Sequence, residues 1–240
     1  MNLRGNVFGG MTNLETIDAH FSQCAVLEDD TAIKALLLIN EHGIFGENAY
    51  KEFLVEISGK DVPVERVEYI LDFDKWIFRA REIRILQRLI TRLLDFRKLT
   101  IIGLQGAIVT PFFGLSLAAD FRFATEDMAF SLSHVKYRLQ PTGALPFFLP
   151  RFLGQGKTTE LLLRGGEISA QEALELGLIT AILPKKDFEE RCVERAKHLC
   201  QQADWRVIET TKHLLYYFRS ELREYFEKEA DFVEVKNSMA

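Results

Sequence analysis

Histidines and cysteines are the side chains of this sequence that most readily move protons or bind metal ions. The five histidines fall in predicted helices, loops and strand ends, at spacings that match no metal site; they are His20, His42, His134, His198 and His213. The three cysteines match neither a zinc motif nor an even disulfide framework; they are Cys24, Cys192 and Cys200. The sequence therefore predicts reduced thiols and no metal site.

A row of basic side chains offers a second kind of chemistry, the binding of phosphate groups. The pattern from Phe73 to Phe96 is helical, with leucines and an isoleucine on one face and four arginines on another. These arginines are Arg81, Arg84, Arg88 and Arg92. A solvated helix face or a contact between subunits explains the same row, and we favour that interpretation because faces of one charge sign are common on amphipathic helices.

Charge and composition exclude several classes of protein. The 240 residues contain 30 Lys and Arg against 35 Asp and Glu, so the net charge of −5 does not favour nucleic-acid binding. We find no apolar run of about 18 residues and no leader-like start, so we expect a cytoplasmic protein with no membrane contact. With 48% hydrophobic residues, the chain can bury one sizeable core.

The first third of the chain reads as helix, strand and loop. Thr12 and Glu15 have the spacing of a capping box, so we expect a helix from about residue 12 into the twenties. The apolar run 32–40 is typical of a buried parallel strand. Residues 44–65 are polar and irregular, which predicts a binding loop.

The middle of the chain contains nine of the fifteen glycines and the sharpest turn signals. The stretch LTIIGLQGAIV predicts a strand, and Thr110 and Pro111 then read as the N-cap and first residue of a helix. FRFATEDMAFSLSHV predicts two short strands around a turn. The last sixty residues read as charged helices with two apolar faces. One face comprises Phe188, Cys192 and Ala196, and the other comprises Leu214, Leu215, Phe218, Leu222 and Tyr225.

Several of these stretches together resemble the crotonase superfamily of enoyl-CoA hydratases and isomerases. The most specific are PTGALPFFLPRFLG and the following GKTTELLLRGGEISAQEALELGLITAILP, which are similar to a loop, a helix and a signature of that superfamily. LTIIGLQGAIV through Asp120 and NVFGGMTNLETIDAHF are similar to its oxyanion segment and first helix. HVKYRLQP and the short C-terminus are similar to the decarboxylating branch that acts in polyketide β-branching.

The resemblance implies an α/β fold, a spiral of ββα units with C-terminal helices. Residues 1–184 would form the crotonase-like core, and residues 185–240 a helical segment of the same domain. The resemblance further implies a homotrimer or hexamer that binds an acyl-CoA or acyl-carrier-protein thioester. Coenzyme A or phosphopantetheine would then be part of the substrate, with no separate cofactor.

The family's shared device is an oxyanion hole of two backbone N–H groups that stabilise an enolate. By resemblance, one donor position falls on Ala49, which keeps its N–H, although Tyr50 replaces the aspartate that follows in relatives. The other falls on Pro111, which has no N–H; a slip of one residue would place it on Phe112. We expect the usual oxyanion hole to be absent or rebuilt.

The positions of the acid and base residues that determine the type of reaction are also occupied by other residues. Hydratases use two glutamates as base and acid, and these positions fall on Gly114 and His134. His134 could still move a proton, or it could be a hydrogen-bonded structural histidine. In the decarboxylating branch, Lys60 is the nearest match to a carboxylate-binding lysine, but its partner histidine falls on Phe226. Arg4 lies near the usual position for coenzyme A phosphates.

Two hypotheses follow. In the first, the protein is an enzyme on acyl thioesters with altered chemistry, in which Ala49 supplies one donor and His134 or Lys60 handles the proton or the carboxylate. In the second, it is a non-catalytic subunit that keeps the fold for assembly or thioester binding. A cavity filled by Phe112, Phe113 and Phe147 would favour the second.

Overall fold

The computed structural model describes residues 2–58, 76–202 and 204–238, in which ten helices and eight strands are found. In chain order the elements are β1 (Asn2–Leu3), α1 (Val7–Gly10), α2 (Leu14–Asp29), β2 (Ala35–Asn40), α3 (Glu47–Ser58), α4 (Trp76–Asp95), β3 (Leu99–Leu104), β4 (Ala107–Val109), α5 (Thr110–Ser116), β5 (Phe121–Ala124), β6 (Ala129–Ser131), α6 (Leu145–Arg164), β7 (Glu167–Ser169), α7 (Ala170–Glu175), β8 (Ala181–Ile182), α8 (Phe188–Gln202), α9 (Trp205–Leu215) and α10 (Arg219–Ser238).

The strands form two sheets. The first has five strands in the order β1-β2-β3-β5-β8, and all of its neighbours run parallel. The second has the order β4-β6-β7, with β4 parallel and β7 antiparallel to β6. All six residues of β3 are buried, as expected for a central parallel strand covered on both faces.

Helices cover both faces of the five-stranded sheet. The larger cluster of buried side chains includes residues of α3, α4, α5 and α6, and a smaller cluster joins the other face to α8. Gly103 of β3 lets α8 approach closely, because a Cβ there would lie 3.2 Å from the Phe188 ring and 3.3 Å from Cys192 Sγ. Burial raises the pKa of the Cys192 thiol to about 12, and all three cysteines are free.

The predicted strand in 32–40 and the predicted helix after residue 12 are present. The helix α2, however, begins at Leu14, and the hydroxyl of Thr12 donates to the carbonyl of Gly9 at 2.8 Å. Thr12 therefore closes the preceding turn, and the predicted capping box does not form. Nothing in the described helices has both the length and the apolar content that a bilayer crossing needs.

The predicted loop over 44–65 is wrong for most of its described part. Residues 47–58 form α3, which buries Tyr50, Phe53, Leu54 and Ile57. These positions recur at helical spacing, so the helix is stabilised by its apolar face despite the polar residues between them. Residues 59–65 lie outside the described part of the chain.

The C-terminal prediction holds for one face and fails for the other. Phe188, Cys192 and Ala196 are buried together in α8. The second predicted face is divided between two helices: Leu222 of α10 is buried, whereas Leu214 and Leu215 of α9 are 67% and 61% exposed.

Candidate active site

The two segments expected to form the oxyanion hole lie side by side. The N–H of Val109, immediately before α5, donates to the carbonyl of Phe45, just before α3, at 2.9 Å. The N-terminal ends of α3 and α5 are thereby brought to one place. The fold thus assembles the region in which the resemblance places Ala49 and Pro111.

Only one of the two expected donors has an N–H. Ala49 is the third residue of α3, and the first bond of the helix ladder runs from Tyr50 N–H to the Gly46 carbonyl at 3.1 Å. The Ala49 N–H therefore lies in the first turn, where it has no acceptor inside the helix. Pro111 lies in the first turn of α5 and has no N–H to donate.

Ala49 lines an open cavity of about 470 Å³ between the residues before α1, the loop after β2 and one side of α3, here called the Ala49 cavity. His42 lines the same cavity, together with the carboxylate-bearing side chains of Glu52 and Glu56. Two neighbouring carboxylates make this cavity unfavourable for phosphate groups. Its one structural link to the resemblance is Ala49.

Packed aromatic rings occupy the space behind the two helix N-termini. The rings of Phe45 and Phe112 stack with their centroids 3.8 Å apart, and the edge of Phe8 meets Phe112 at 5.0 Å. Tyr50 is buried against Phe8, and its hydroxyl accepts a hydrogen bond from Arg79 at 3.1 Å. The tyrosine that replaces the family's aspartate is therefore part of the core.

Phe113 and Phe147, the other two rings expected to fill a cavity in a non-catalytic subunit, are also buried. Phe113 stacks on Phe130 at 3.9 Å, inside the core beneath α5. Phe147 contacts Phe148, Phe218 and Tyr225, and so packs on the C-terminal helices and not on Phe112. Phe112 and Phe113 lie in α5, whereas Phe147 packs against Tyr225 of α10.

Gly114, the first expected carboxylate position, has no room for a side chain. A Cβ on Gly114 would lie 2.2 Å from the carbonyl oxygen of Gly143, and a Cβ on Gly143 would lie 2.1 Å from that of Pro111. Backbone therefore packs directly on backbone at the position where the resemblance implies an acid or base. The close contact excludes a carboxylate at this position.

His134, the second expected position, is 5% exposed and uses both ring nitrogens. Nε2 lies 2.9 Å from the carbonyl oxygen of Leu162, and Nδ1 lies 3.0 Å from the hydroxyl of Thr110. Because the carbonyl can only accept, Nε2 carries the proton and Nδ1 accepts from Thr110 in the neutral ring. Burial lowers the pKa of His134, which keeps the ring neutral.

The same contact corrects the prediction for Thr110. The helix α5 begins at Thr110 itself, its N-cap is Val109, and no side chain caps it. The Thr110 hydroxyl contacts His134 and the carbonyl of Ser131 instead. Pro111 is the second residue of α5 and not the first, as predicted, but it still lies in the first helical turn, where a missing N–H costs nothing.

Glu47 is a site residue that the sequence did not reveal. Its carboxylate accepts hydrogen bonds from Ser131 at 2.8 Å, Lys136 at 3.0 Å and Tyr137 at 3.3 Å. Burial by itself would raise the pKa of Glu47, but the bonds from Lys136 and Ser131 outweigh it and hold the pKa below its usual value. An acidic residue in the first turn of a helix was the available signal.

The remaining candidates are separate from this region. Lys60 lies outside the described residues. Arg4 is exposed and lines a cavity other than the Ala49 cavity. His42 contacts Asp127 at 3.2 Å, and Lys185 contacts the same oxygen at 2.6 Å and holds the pKa of Asp127 at about 2. No group of three potential metal-binding His, Cys, Asp or Glu side chains occurs within the described ranges.

Comparison with known proteins decides the family. The family model described as Enoyl-CoA hydratase/isomerase matches residues 77–239, more than half of the chain. The chain belongs to the enoyl-CoA hydratase/isomerase family. The resemblance drawn from the sequence motifs is therefore confirmed at the level of the family, and the polyketide branch stays a prediction.

Two curated proteins are similar to this chain over most of its length. A probable enoyl-CoA hydratase of Bacillus subtilis (strain 168) is 27% identical over 84% of this chain and 70% of its own length. A 4-chlorobenzoyl coenzyme A dehalogenase-1 of an Arthrobacter species is 26% identical over 81% of this chain and 64% of its own length. This chain thus spans about two thirds of the length of each.

Solved structures of the family share the fold. The enoyl-CoA hydratase of Bacillus halodurans superposes with a TM-score of 0.73 at 21% identity, over 92% of this chain and 84% of that one. A monofunctional enoyl-CoA isomerase of M. smegmatis gives 0.64 at 21% identity, over 92% and 87%. The predicted crotonase-like α/β fold is confirmed.

Proposed function

We propose that this family member binds an acyl-CoA or acyl-carrier-protein thioester and does not hydrate it. The observation that carries the proposal is the backbone contact between Gly114 and Gly143, which excludes a carboxylate at the first acid-base position. The names of both curated relatives refer to coenzyme A thioesters, which supports the ligand class.

The chemistry of hydration explains why the contact matters. Adding water across a conjugated double bond needs one group to activate the water and another to supply a proton. Gly114 offers neither, and both ring nitrogens of His134 already contact the protein. With a single N–H at Ala49, enolate stabilisation is reduced as well, since each oxyanion donor contributes roughly 3 to 4 kcal/mol.

Calorimetric titration and a hydration assay test the proposal together. CoA, acetyl-CoA, crotonyl-CoA and a loaded acyl carrier protein are titrated into the protein, and crotonyl-CoA hydration is followed with an active family hydratase as the positive control. We expect saturable thioester binding without turnover. Turnover of about 1 per second or faster would place the protein among ordinary enzymes and overturn the proposal, as would the absence of binding by all four ligands.

An enzyme with altered chemistry is the second candidate, because Ala49 keeps an N–H in the first turn of α3 and lines an open cavity. Replacing Ala49 by Pro removes that N–H in the first turn of α3, where proline is tolerated. Asn48→Pro, one residue earlier in the same turn, is the matched control. If a thioester reaction is found, Ala49→Pro should abolish it and Asn48→Pro should not.

We further propose that the protein acts in the cytoplasm as a homotrimer or hexamer. Three apolar side chains are exposed at and just after the end of α9; they are Leu214, Leu215 and Tyr217. They support assembly, since monomeric proteins rarely expose large contiguous apolar patches.

A further inference from the structure

A cavity of about 440 Å³ lies between the end of α2, the starts of β2 and β3 and the start of α9; we call it the Trp205 cavity. Lys34 and Lys98 line it and directly precede β2 and β3, and Trp205 is the first residue of α9. His42 of the Ala49 cavity lies just after the opposite end of β2, and six residues of a parallel strand span about 20 Å. The two cavities are therefore separate sites.

The apolar part of the Trp205 cavity includes an exposed indole. Trp205 lines the cavity together with Ile33 and Ile208, and it is 53% exposed. The guanidinium of Arg206, which does not line the cavity, lies 5.3 Å from the centroid of the indole ring. An indole on a concave surface offers a ligand a large apolar contact, and tryptophan is prominent among residues that dominate binding. The cavity therefore suits a ligand with an apolar group.

The charges of the cavity are almost balanced. Among the described residues, three basic side chains line it; they are Lys34, Arg97 and Lys98. Four carboxylates of the same part of the chain line it as well; they are Glu28, Asp29, Asp204 and Glu209. The carboxylates disfavour a ligand with several negative charges, such as a nucleotide, and the basic groups disfavour a ligand with several positive charges. The lining fits a ligand that carries one charge of each sign.

Most of these charged groups already have partners within the protein. The Arg97 guanidinium donates to Asp29 at 2.8 Å, and the Arg97 backbone N–H donates to Glu28 at 2.6 Å. Lys98 donates to two backbone carbonyl groups at and just after the end of α2, where the helix dipole is negative. One oxygen of Asp204 accepts the N–H bond that caps α9. The two other groups remain available to a ligand.

Lys34 and Glu209 are these two groups. The Lys34 ammonium donates to the carbonyl of Thr31 at 3.1 Å and pairs with no carboxylate in the described ranges. Glu209 is half-buried, and its carboxylate has no partner among the described residues. Burial raises the pKa of the Cys200 thiol and Lys34 opposes this effect, so the Lys34 charge lies near Cys200 in the cavity wall. One cation, one carboxylate and one indole thus line the same space.

We infer that the Trp205 cavity binds a free amino acid with an apolar side chain. The carboxylate of the ligand contacts Lys34, its ammonium group contacts Glu209 and its side chain packs on Trp205. A ligand with a single charge leaves Lys34 or Glu209 without a partner, which is unfavourable for a group that loses water on binding. The inference does not depend on the proposed thioester binding, because the Trp205 cavity and the Ala49 cavity share no lining residue.

A series of ligands gives the first test. L-phenylalanine is titrated calorimetrically beside three analogues that each lack one of its features: 3-phenylpropionate lacks the ammonium group, 2-phenylethylamine the carboxylate and glycine the side chain. We expect saturable binding of L-phenylalanine and at least about tenfold weaker binding of each analogue. An analogue that binds as tightly as L-phenylalanine would overturn the inference. Absence of binding by L-phenylalanine, L-leucine and L-methionine up to about 10 mM would do the same.

Substitution of the two charged groups gives the second test. Glu209→Gln should weaken binding of L-phenylalanine at least about tenfold but not that of 3-phenylpropionate, and Lys34→Gln should do so for L-phenylalanine but not for 2-phenylethylamine. Glu190→Gln and Lys197→Gln are the matched controls, because these exposed side chains of α8 do not line the cavity. Equal losses in the controls would contradict the inference, since they would show a general effect of surface charge.

Two spectroscopic and chemical measurements localise the ligand. In a Trp76→Phe variant, the fluorescence of Trp205 should change as L-phenylalanine binds. Cys200 lines the cavity and Cys24 does not, although both thiols are free and half-buried, so the ligand should slow alkylation of Cys200 alone. Binding without either signal, or equal protection of both cysteines, would place the ligand elsewhere and overturn the assignment.

Titration of L-phenylalanine and of CoA thioesters into the same protein separates this inference from the proposed function. Binding of the amino acid without binding of any thioester supports the Trp205 cavity and contradicts the proposed function. Binding of thioesters without binding of the amino acid contradicts this inference alone.

Discussion

His134 joins two parts of the chain through a single ring. Its nitrogens connect Thr110, at the start of α5, to Leu162 in α6, and the ring is buried between them. A histidine that already makes both of its hydrogen bonds has no free nitrogen with which to accept a proton from a substrate. Its contribution to stability and its titration can both be measured.

Replacing His134 by Ala should lower the free energy of unfolding by about 3 kcal/mol. The variant leaves the Leu162 carbonyl and the Thr110 hydroxyl without the ring, and unsatisfied buried polar groups cost about 1–3 kcal/mol each. Urea denaturation measures the loss. His42→Ala, at a side chain that is 53% exposed, is the control and should change the value by less than about 0.5 kcal/mol. Equal effects of the two variants would contradict the structural role.

The pH dependence of stability should also reveal His134. Because burial lowers its pKa in the folded state, the unfolded chain binds a proton first as the pH falls through about 6.5. The contribution of neutral His134 to the stability of the folded protein is therefore present above that pH and lost below it. We expect the stability difference between the parent and His134→Gln to decrease from pH 7 to pH 5. A constant difference would show that the ring does not titrate as described.

At the scale of elements, the contact between α5 and the segment before α6 defines the candidate site. Gly114 lies against Gly143, and Gly143 has a φ of 71°, a left-handed conformation that favours glycine. Neither residue has a side chain, so the two backbones touch. The exclusion of a side chain at Gly114 therefore depends on both α5 and the segment before α6.

Gly114→Ala should destabilise the protein by about 3 kcal/mol, because its Cβ would overlap the Gly143 carbonyl and force the two segments apart. Gly156→Ala is the matched control: Gly156 is helical with open space around its Cβ position, so alanine should stabilise by about 0.5–1 kcal/mol. Thermal and urea unfolding compare the two variants. A Gly114→Ala variant as stable as the parent would show that the segments separate easily.

Elements with a regular apolar pattern were predictable from the sequence. The continuous apolar residues of β2 and β3 indicate buried parallel strands, and α8 and the signature over α6 and α7 are where the motifs place them. The helix α3 was missed, although Tyr50, Phe53 and Ile57 recur at helical spacing, because glycines and polar residues around it are equally typical of a loop.

Sequence patterns predicted a helix for Pro111 and Gly114, which lie in α5, but a loop for Ala49, which lies in α3. The contacts of the candidate site residues were not predictable. The partners of His134 lie 24 and 28 residues away, and Glu47 contacts Ser131 and Lys136 more than 80 residues away. Such contacts follow from tertiary packing, which no local pattern encodes.

In the whole molecule, the exposed apolar side chains at the C-terminal end of α9 indicate that the protein forms an assembly. Leu214, Leu215 and Tyr217 are 67%, 61% and 80% exposed and lie close together in sequence, at and just after the end of α9. Contact with further copies would remove this surface from water, which is the main source of association free energy.

We expect light scattering at micromolar concentration to show a trimer or hexamer. The double variant Leu214→Glu and Leu215→Glu should dissociate it, because burying two unpaired charges opposes association. Val26→Glu, at another exposed apolar position, is the control and should leave the assembly intact. A monomeric parent protein would remove the basis for this prediction.

The order β1-β2-β3-β5-β8 has a consequence for synthesis of the chain on the ribosome. Each strand pairs with one made before it, so the sheet can grow in one direction as the polypeptide emerges. Until residues 181 and 182 are available, β5 exposes an unpaired edge, which can join strands of other nascent chains. Translation that stops before residue 181 should therefore yield fragments that aggregate, whereas release after β8 gives a chain whose sheet has gained its last strand.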